Sequence, residues 1–129
     1  MSYAHASSTY RQMEVSSASP GQLVVIIYDF LQVQLRRVDI ALEKNDFELR
    51  SDAIERANAA IVELVSGLDL ERGGQLSKQL SGLYSFFLSQ LIDISRHSDR
   101  ERLARLIHQV GELRLAFAEI SARPIASAA

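Results

Sequence analysis

The sequence predicts an all-α protein, an antiparallel four-helix bundle with a mobile N-terminal tail. Three observations carry this. Four segments repeat apolar residues at steps of three and four, the spacing of a helix face. Short polar stretches join them, and short connections favour antiparallel neighbours. No segment shows a convincing strand alternation or an Asn-Gly or Asp-Gly hairpin turn. Alternating three-four spacing also favours near-aligned packing, with crossing angles of about 20°.

The first helix is the element around which the others are arranged. Ser19 can accept a hydrogen bond from an orphan amide as N-cap. Pro20 follows at the first helical position, where its missing N–H costs nothing. One stripe runs Val24, Tyr28, Leu31, Leu35, Val38, Leu42 to an end near Lys44. A second runs Leu23, Ile26, Ile27, Phe30, Val33, Ile40. A helix lying on a core needs one stripe. Two stripes mean either a helix surrounded by others or a face that awaits another chain.

Asn45 and Glu48 have capping-box spacing and open the second helix, which reaches about Leu68 on the stripe Ile54, Ala57, Ile61, Leu64, Leu68. Gly67 falls in its last turn, and Gly73-Gly74 punctuates the connection that follows. The third helix covers about 75–96, with Leu76, Leu80, Leu83, Phe87, Leu91 and Ile94 as its stripe and Tyr84, Leu88 and Ile92 widening it. Ser98 and Glu101 repeat the capping-box spacing before the fourth helix, whose stripe is Leu103, Leu106, Val110, Leu113, Phe117, Ile120. Pro124 stops it. The expected layout is a flexible segment over 1–18, a bundle domain over 19–123 and a frayed tail over 124–129.

Composition narrows the function. The 129 residues suffice for one domain with its own core. A net charge of −2 supplies no global field toward nucleic acid or an anionic membrane. The absence of cysteine removes disulfides and thiolate catalysis. The apolar run Leu23 to Tyr28 ends at Asp29, far short of the ~20 residues needed to span a bilayer. The polar N-terminus has no hydrophobic signal core, so a cytoplasmic protein without membrane insertion is the expectation.

Candidate chemistry is sparse. No Glu-x-x-His exists for a di-iron bundle, no Gly-Lys-Ser/Thr follows Gly73-Gly74, and there is no Gly-x-Ser-x-Gly. No cofactor and no catalytic or metal-binding residue is expected. His5 lies in the tail, and His97 suits the negative end of the third helix. His108, with Gly111 and Glu112 nearby, is the one residue that admits an alternative, a histidine phosphotransfer-type bundle. It lacks that class's Lys, and its Gly falls one residue early. The arginines between Arg96 and Arg105 alternate with Asp99 and Glu101, the pattern of a solvated face. What remains is binding through apolar surface. The surplus sits on the first helix (Leu23, Ile26, Phe30) and the third (Tyr84, Leu88, Ile92), and a groove between them could accept a peptide. Plain core packing and a generic helical adaptor are the plainer readings of the same residues.

The order of several short motifs resembles the flagellin-specific secretion chaperones, the FliS family, over about 10–120. Tyr10 precedes Ala18-Ser19-Pro20, Leu23 and Ile27-Tyr28-Asp29. Then come Ile40-Ala41, Asp46, Ile61-Val62-Glu63-Leu64 and Leu68-Asp69-x-Glu71-x-Gly73-Gly74. Leu80-x-x-Leu83-Tyr84 and Leu113-Arg114-x-Ala116-Phe117 follow. Departures are Phe30, where the family often has a small residue, Ile94-Ser95 for an Ala-Asn pair, and Phe117 for a late Trp.

The resemblance implies a non-enzymatic cytoplasmic chaperone. It would bind the disordered C-terminal segment of flagellin, prevent premature polymerisation, and deliver the cargo to a component of the flagellar type III export gate. A co-chaperone is compatible with it, and the expected state is a monomer or weak dimer. Joined to the surplus stripe, it makes Tyr10, Leu23, Ile26, Tyr28, Phe30, Tyr84, Leu88 and Ile92 the expected flagellin-binding groove, with Tyr10 in the tail as a plug that cargo displaces.

Overall fold

The structure, a computed structural model, describes residues 20–122. Four helices account for nearly all of them: α1 Pro20–Lys44, α2 Phe47–Ser66, α3 Gly74–His97 and α4 Arg100–Ala122. The antiparallel four-helix bundle is what the periodicity predicts. The expected Ser19 cap, the 1–18 segment with Tyr10, and the stop at Pro124 with the 124–129 tail lie outside the described residues.

Cross-links between helices set the antiparallel order. From α1 to α4, Asp29 pairs with Arg114 at 2.7 Å and Asp39 with Arg100 at 2.8 Å, so one helix rises as the other falls. Arg37 of α1 meets Asp52 of α2 at 3.0 Å. Arg50 of α2 donates to the Ser95 carbonyl of α3, and Arg102 of α4 reaches Gln90 and Asp93 of α3. Each pair joins neighbours around the bundle. α1 therefore sits between α2 and α4 and diagonally opposite α3. These exposed pairs hold register more than they add stability, since such pairs contribute only ~0.2–1 kcal/mol each.

The core is apolar and layered. Tyr28, Leu31, Leu35 and Val38 of α1 are fully buried, and Phe87, Leu91, Ile94, Leu103, Leu106 and Val110 face them from α3 and α4. α2 contributes Ala53, Ala57 and Ala60 beside Ile61 and Leu64. Small residues at that spacing let α1 and α2 approach closely, and this is one of the bundle's most extensive helix pairs.

Two of the short connections use the same device, and it differs from the one expected. Asn45 has φ 54° and ends α1 in the left-handed region, while the Asp46 amide returns to the Ala41 carbonyl at 2.9 Å. Asp46, not Asn45, is the N-cap of α2, its carboxylate accepting the Leu49 amide at 3.1 Å. Ser98 likewise ends α3 at φ 51°, and Asp99, not Ser98, takes the Arg102 amide at 3.0 Å to start α4. The capping-box readings were one residue early at both corners because a residue must first reverse the chain before the next can cap. At the α2–α3 corner, Asp69 accepts the amides of Glu71 and Arg72. A Cβ on Gly73 would lie 1.7 Å from Ser77 Oγ and 2.5 Å from the Asp69 carbonyl, and Gly74 has φ 60°. The two glycines answer different demands, space at Gly73 and backbone conformation at Gly74.

Candidate functional site

The diagonal arrangement separates the residues expected to share a groove. α1 and α3 occupy opposite corners, so their outward stripes do not face each other. Tyr28 and Tyr84 point inward from those corners and are buried, and Leu23 is buried against the bundle. Ile26 and Phe30 are exposed on the outer face of α1. Leu88 is half-buried and packs on the core. Ile92 is exposed beside a shallow hollow between α2 and α3, shared with Ile54, Asn58, Leu91 and Arg96. The second-stripe residues thus face different directions. A stripe on one helix says nothing about which neighbour stands across from it.

What the structure does assemble is a pocket at one end of the bundle. Here α1 and α3 begin while α2 and α4 end. Val24 and Ile27 of α1, Leu64 of α2, Leu68 just beyond it, Leu80 and Tyr84 of α3 and Phe117 of α4 line an opening of about 180 Å³. Glu63 and Gly67 stand at its side. Apart from Leu64 and Tyr84, these apolar walls are only half-buried. The gap stands between the four helix ends, and most of its walls belong to stripes that point at the core. No single-helix pattern distinguishes these positions from ordinary core. Phe117, an aromatic near the end of the last stripe, was the strongest available signal.

The pocket rests on a ring cluster. Tyr28 lies 5.6 Å from Phe117 between ring centroids, and its hydroxyl is 2.5 Å from that of Tyr84. Burial pushes both phenols above the usual tyrosine range. The neighbouring hydroxyl raises Tyr28 further and holds Tyr84 back. Both therefore stay neutral and paired at ordinary pH; Tyr84 itself lines the pocket, and Tyr28 packs behind Phe117.

Elsewhere the surface offers little to catalysis. His108 is exposed and lies 3.0 Å from Glu112 one turn later, a surface pairing. Among the described residues, no group of three or more His, Asp or Glu side chains could hold a metal ion, and no helix is long and apolar enough to cross a membrane.

The protein is a four-helix bundle with a mostly apolar pocket at one end and apolar residues on outward faces. Comparison with known proteins gives the bundle its family. The family model described as flagellar protein FliS matches residues 3–124, and the chain belongs to this family of flagellar secretion chaperones. Curated proteins named flagellar secretion chaperone FliS align with it along most of their length. The one from Salmonella typhimurium is 30% identical over 83% of this chain and 80% of its own. That from Campylobacter jejuni is 28% identical over 89% and 90%, and that from Bacillus subtilis 26% over 83% and 79%.

Proposed function

We propose that this chain is a cytoplasmic export chaperone that binds the disordered C-terminal region of flagellin, keeps it from polymerising early, and hands it to the flagellar export gate. The bundle-end pocket is the observation that carries the reading. Its walls are mostly apolar, with Glu63 and Gly67 at one side, and the tyrosine pair at and behind Tyr84 is neutral. It lies at the bundle end, between the ends of all four helices. An apolar side chain from a passing polypeptide can pack against Val24, Ile27, Leu68, Leu80 and Phe117, with the half-buried Glu63 at the side.

The hollow beside Ile92 extends the same route along α2 and α3. An extended or helical segment that dropped one anchor into the pocket and a second beside Ile92 would bury area at ~25 cal/mol per Å² of apolar surface. Ordering a disordered chain opposes that gain by at least a few kcal/mol. Binding of this kind is firm yet reversible, which suits a carrier. Tyr10 lies outside the described residues. Its proposed role as a plug is supported by the pocket's place beside the start of α1, the end from which residues 1–19 continue.

Calorimetric titration with a peptide of the last ~40 residues of flagellin from the same organism tests this, a length that can span more than one helix of the bundle. Saturable binding near one-to-one with a negative heat-capacity change supports it. Leu80→Glu, at the pocket wall, should weaken that binding while the helical CD signal persists. An intact, soluble peptide that does not bind removes the proposal.

A further inference from the structure

α2 carries four acidic residues, Glu48, Asp52, Glu55 and Glu63, and the fold accounts for all but the last. Glu48 is exposed in the first turn, where the helix dipole favours a carboxylate. Asp52 is held by Arg37 and Arg56 at 3.0 Å each. Glu55 is exposed to water. Glu63 lies in the last turn, at the negative end of the dipole, and that turn has no basic residue. It is half-buried. Its backbone carbonyl accepts the Gly67 amide at 3.1 Å, but its carboxylate has no hydrogen bond or ion pair among the described residues. It stands at the side of the bundle-end pocket, which Leu64, Leu68, Leu80 and Phe117 also line.

We propose that Glu63 makes this pocket selective for an apolar side chain with an arginine or lysine within one turn of it in the same polypeptide. The inference rests on the chaperone reading, and the polypeptide is the flagellin C-terminal segment. A half-buried carboxylate without a partner has lost part of its hydration with nothing in exchange. A polypeptide that fills the pocket covers it further. If that polypeptide is wholly apolar, the charge is left buried and unpaired, which opposes binding. A cation brought in beside the apolar anchor removes the penalty, and a guanidinium can meet both carboxylate oxygens. An acidic neighbour meets like charge instead. Apolar walls alone would accept any apolar segment. The carboxylate lets the pocket discriminate by the residue next to the anchor. In a helical segment that residue stands three or four positions from the anchor, and in an extended one two positions, since those share a face.

The test titrates the full chain with the ~40-residue flagellin peptide and with versions in which each Lys or Arg is changed singly to Gln. One such change, at a cation within a turn of an apolar residue, should weaken binding about tenfold, the lower end of the coupling measured for close charge pairs. Glu63→Gln should weaken the unaltered peptide to a similar degree and should then be indifferent to that same change, because the two losses are one interaction. Glu63→Lys should bind more weakly still and recover affinity for the peptide with Glu at that position. Both variants should keep the helical CD signal and melt no earlier than the unmodified chain, since the carboxylate supports no contact in the free protein. Binding by Glu63→Gln as tight as that of the unmodified chain overturns the inference and leaves the chaperone reading standing. So does a loss in Glu63→Gln that no cation change in the peptide reproduces, which would make Glu63 an acceptor of cargo backbone amides. A flagellin segment with no Lys or Arg near an apolar residue overturns it as well. A peptide that fails to bind the unmodified chain removes the chaperone reading, and this inference with it.

Discussion

The hydroxyls of Tyr28 and Tyr84 lie 2.5 Å apart, joining α1 and α3, the two helices that occupy opposite corners of the bundle. Every other polar cross-link described above joins helices that are neighbours around the bundle. This one crosses the centre, where water has been excluded, and each hydroxyl is the other's partner. The pair therefore fixes the relative height of two helices whose backbones do not touch.

Tyr28→Phe and Tyr84→Phe should each cost about 1–3 kcal/mol in denaturant unfolding, because each leaves the surviving hydroxyl buried and unpaired. The double Tyr→Phe variant should cost less than the sum of the two, since no orphan then remains. Additive losses would show that the two hydroxyls do not depend on each other. Replacing either with Glu should unfold the bundle, as an ionised carboxylate in the core has no counter-charge.

The same pair makes stability sensitive to alkali. Burial raises both phenols in the folded state, so their contribution is complete below the ordinary tyrosine value near 10 and is lost as the pH rises above it. Absorbance at 295 nm during alkaline titration should show Tyr28 and Tyr84 ionising only together with loss of the helical CD signal. Tyrosines that all ionise while helicity is intact would contradict the burial.

The corner between α2 and α3 should discriminate its two glycines. Gly73→Ala drives a Cβ into the Asp69 carbonyl as well as Ser77, and a backbone carbonyl cannot rotate away. It should cost more than Gly74→Ala, whose Cβ meets open space and whose penalty is the left-handed φ alone, about 1 kcal/mol. Thermal melts of the two variants decide the order. A smaller loss at Gly73 would mean the corner opens freely.

Asp46→Ala should destabilise the protein by about 1 kcal/mol, the typical worth of an N-cap. Asn45→Gly should be neutral or stabilising, because φ 54° suits glycine better than asparagine. Those opposite signs at adjacent positions, read as shifts in melting temperature, test which residue caps α2.

Asp52 is held below the usual carboxylate range by Arg56 and Arg37, and Asp99 by the Arg102 amide and its side chain. Depressed carboxylates contribute stability that is present above the ordinary value near 4 and is lost as the pH falls through the folded-state value. Mild acid should therefore leave the fold intact, with destabilisation from these groups setting in below pH ~4. Asp52→Asn should flatten that acid limb. An unchanged limb would mean Asp52 titrates alike in the folded and unfolded chain.

The periodicity of apolar residues alone determined the four helices, their approximate limits and most of the inward stripe of each, although Leu76 and Ile120, at the bundle end, are exposed. Spacing along one helix is a local property, and burial follows it because an apolar face must be covered. The α1–α2 and α3–α4 corners were legible to within one residue. Asn45 and Ser98 look like caps in sequence, but reversing the chain requires a left-handed residue first, and the caps passed to Asp46 and Asp99. The family motifs were also legible, since they are strings of residues.

Only the tertiary structure decided which helices stand side by side. It placed α1 and α3 on a diagonal, turned Tyr28 and Tyr84 from expected groove residues into a buried pair, and left Ile26 and Phe30 facing away from Ile92. It also made a pocket from Val24, Ile27, Leu68, Leu80 and Phe117, residues scattered over nearly a hundred positions. A pocket is a property of the gap between elements. No one element's sequence encodes the size of that gap. It is set by how all four pack at once.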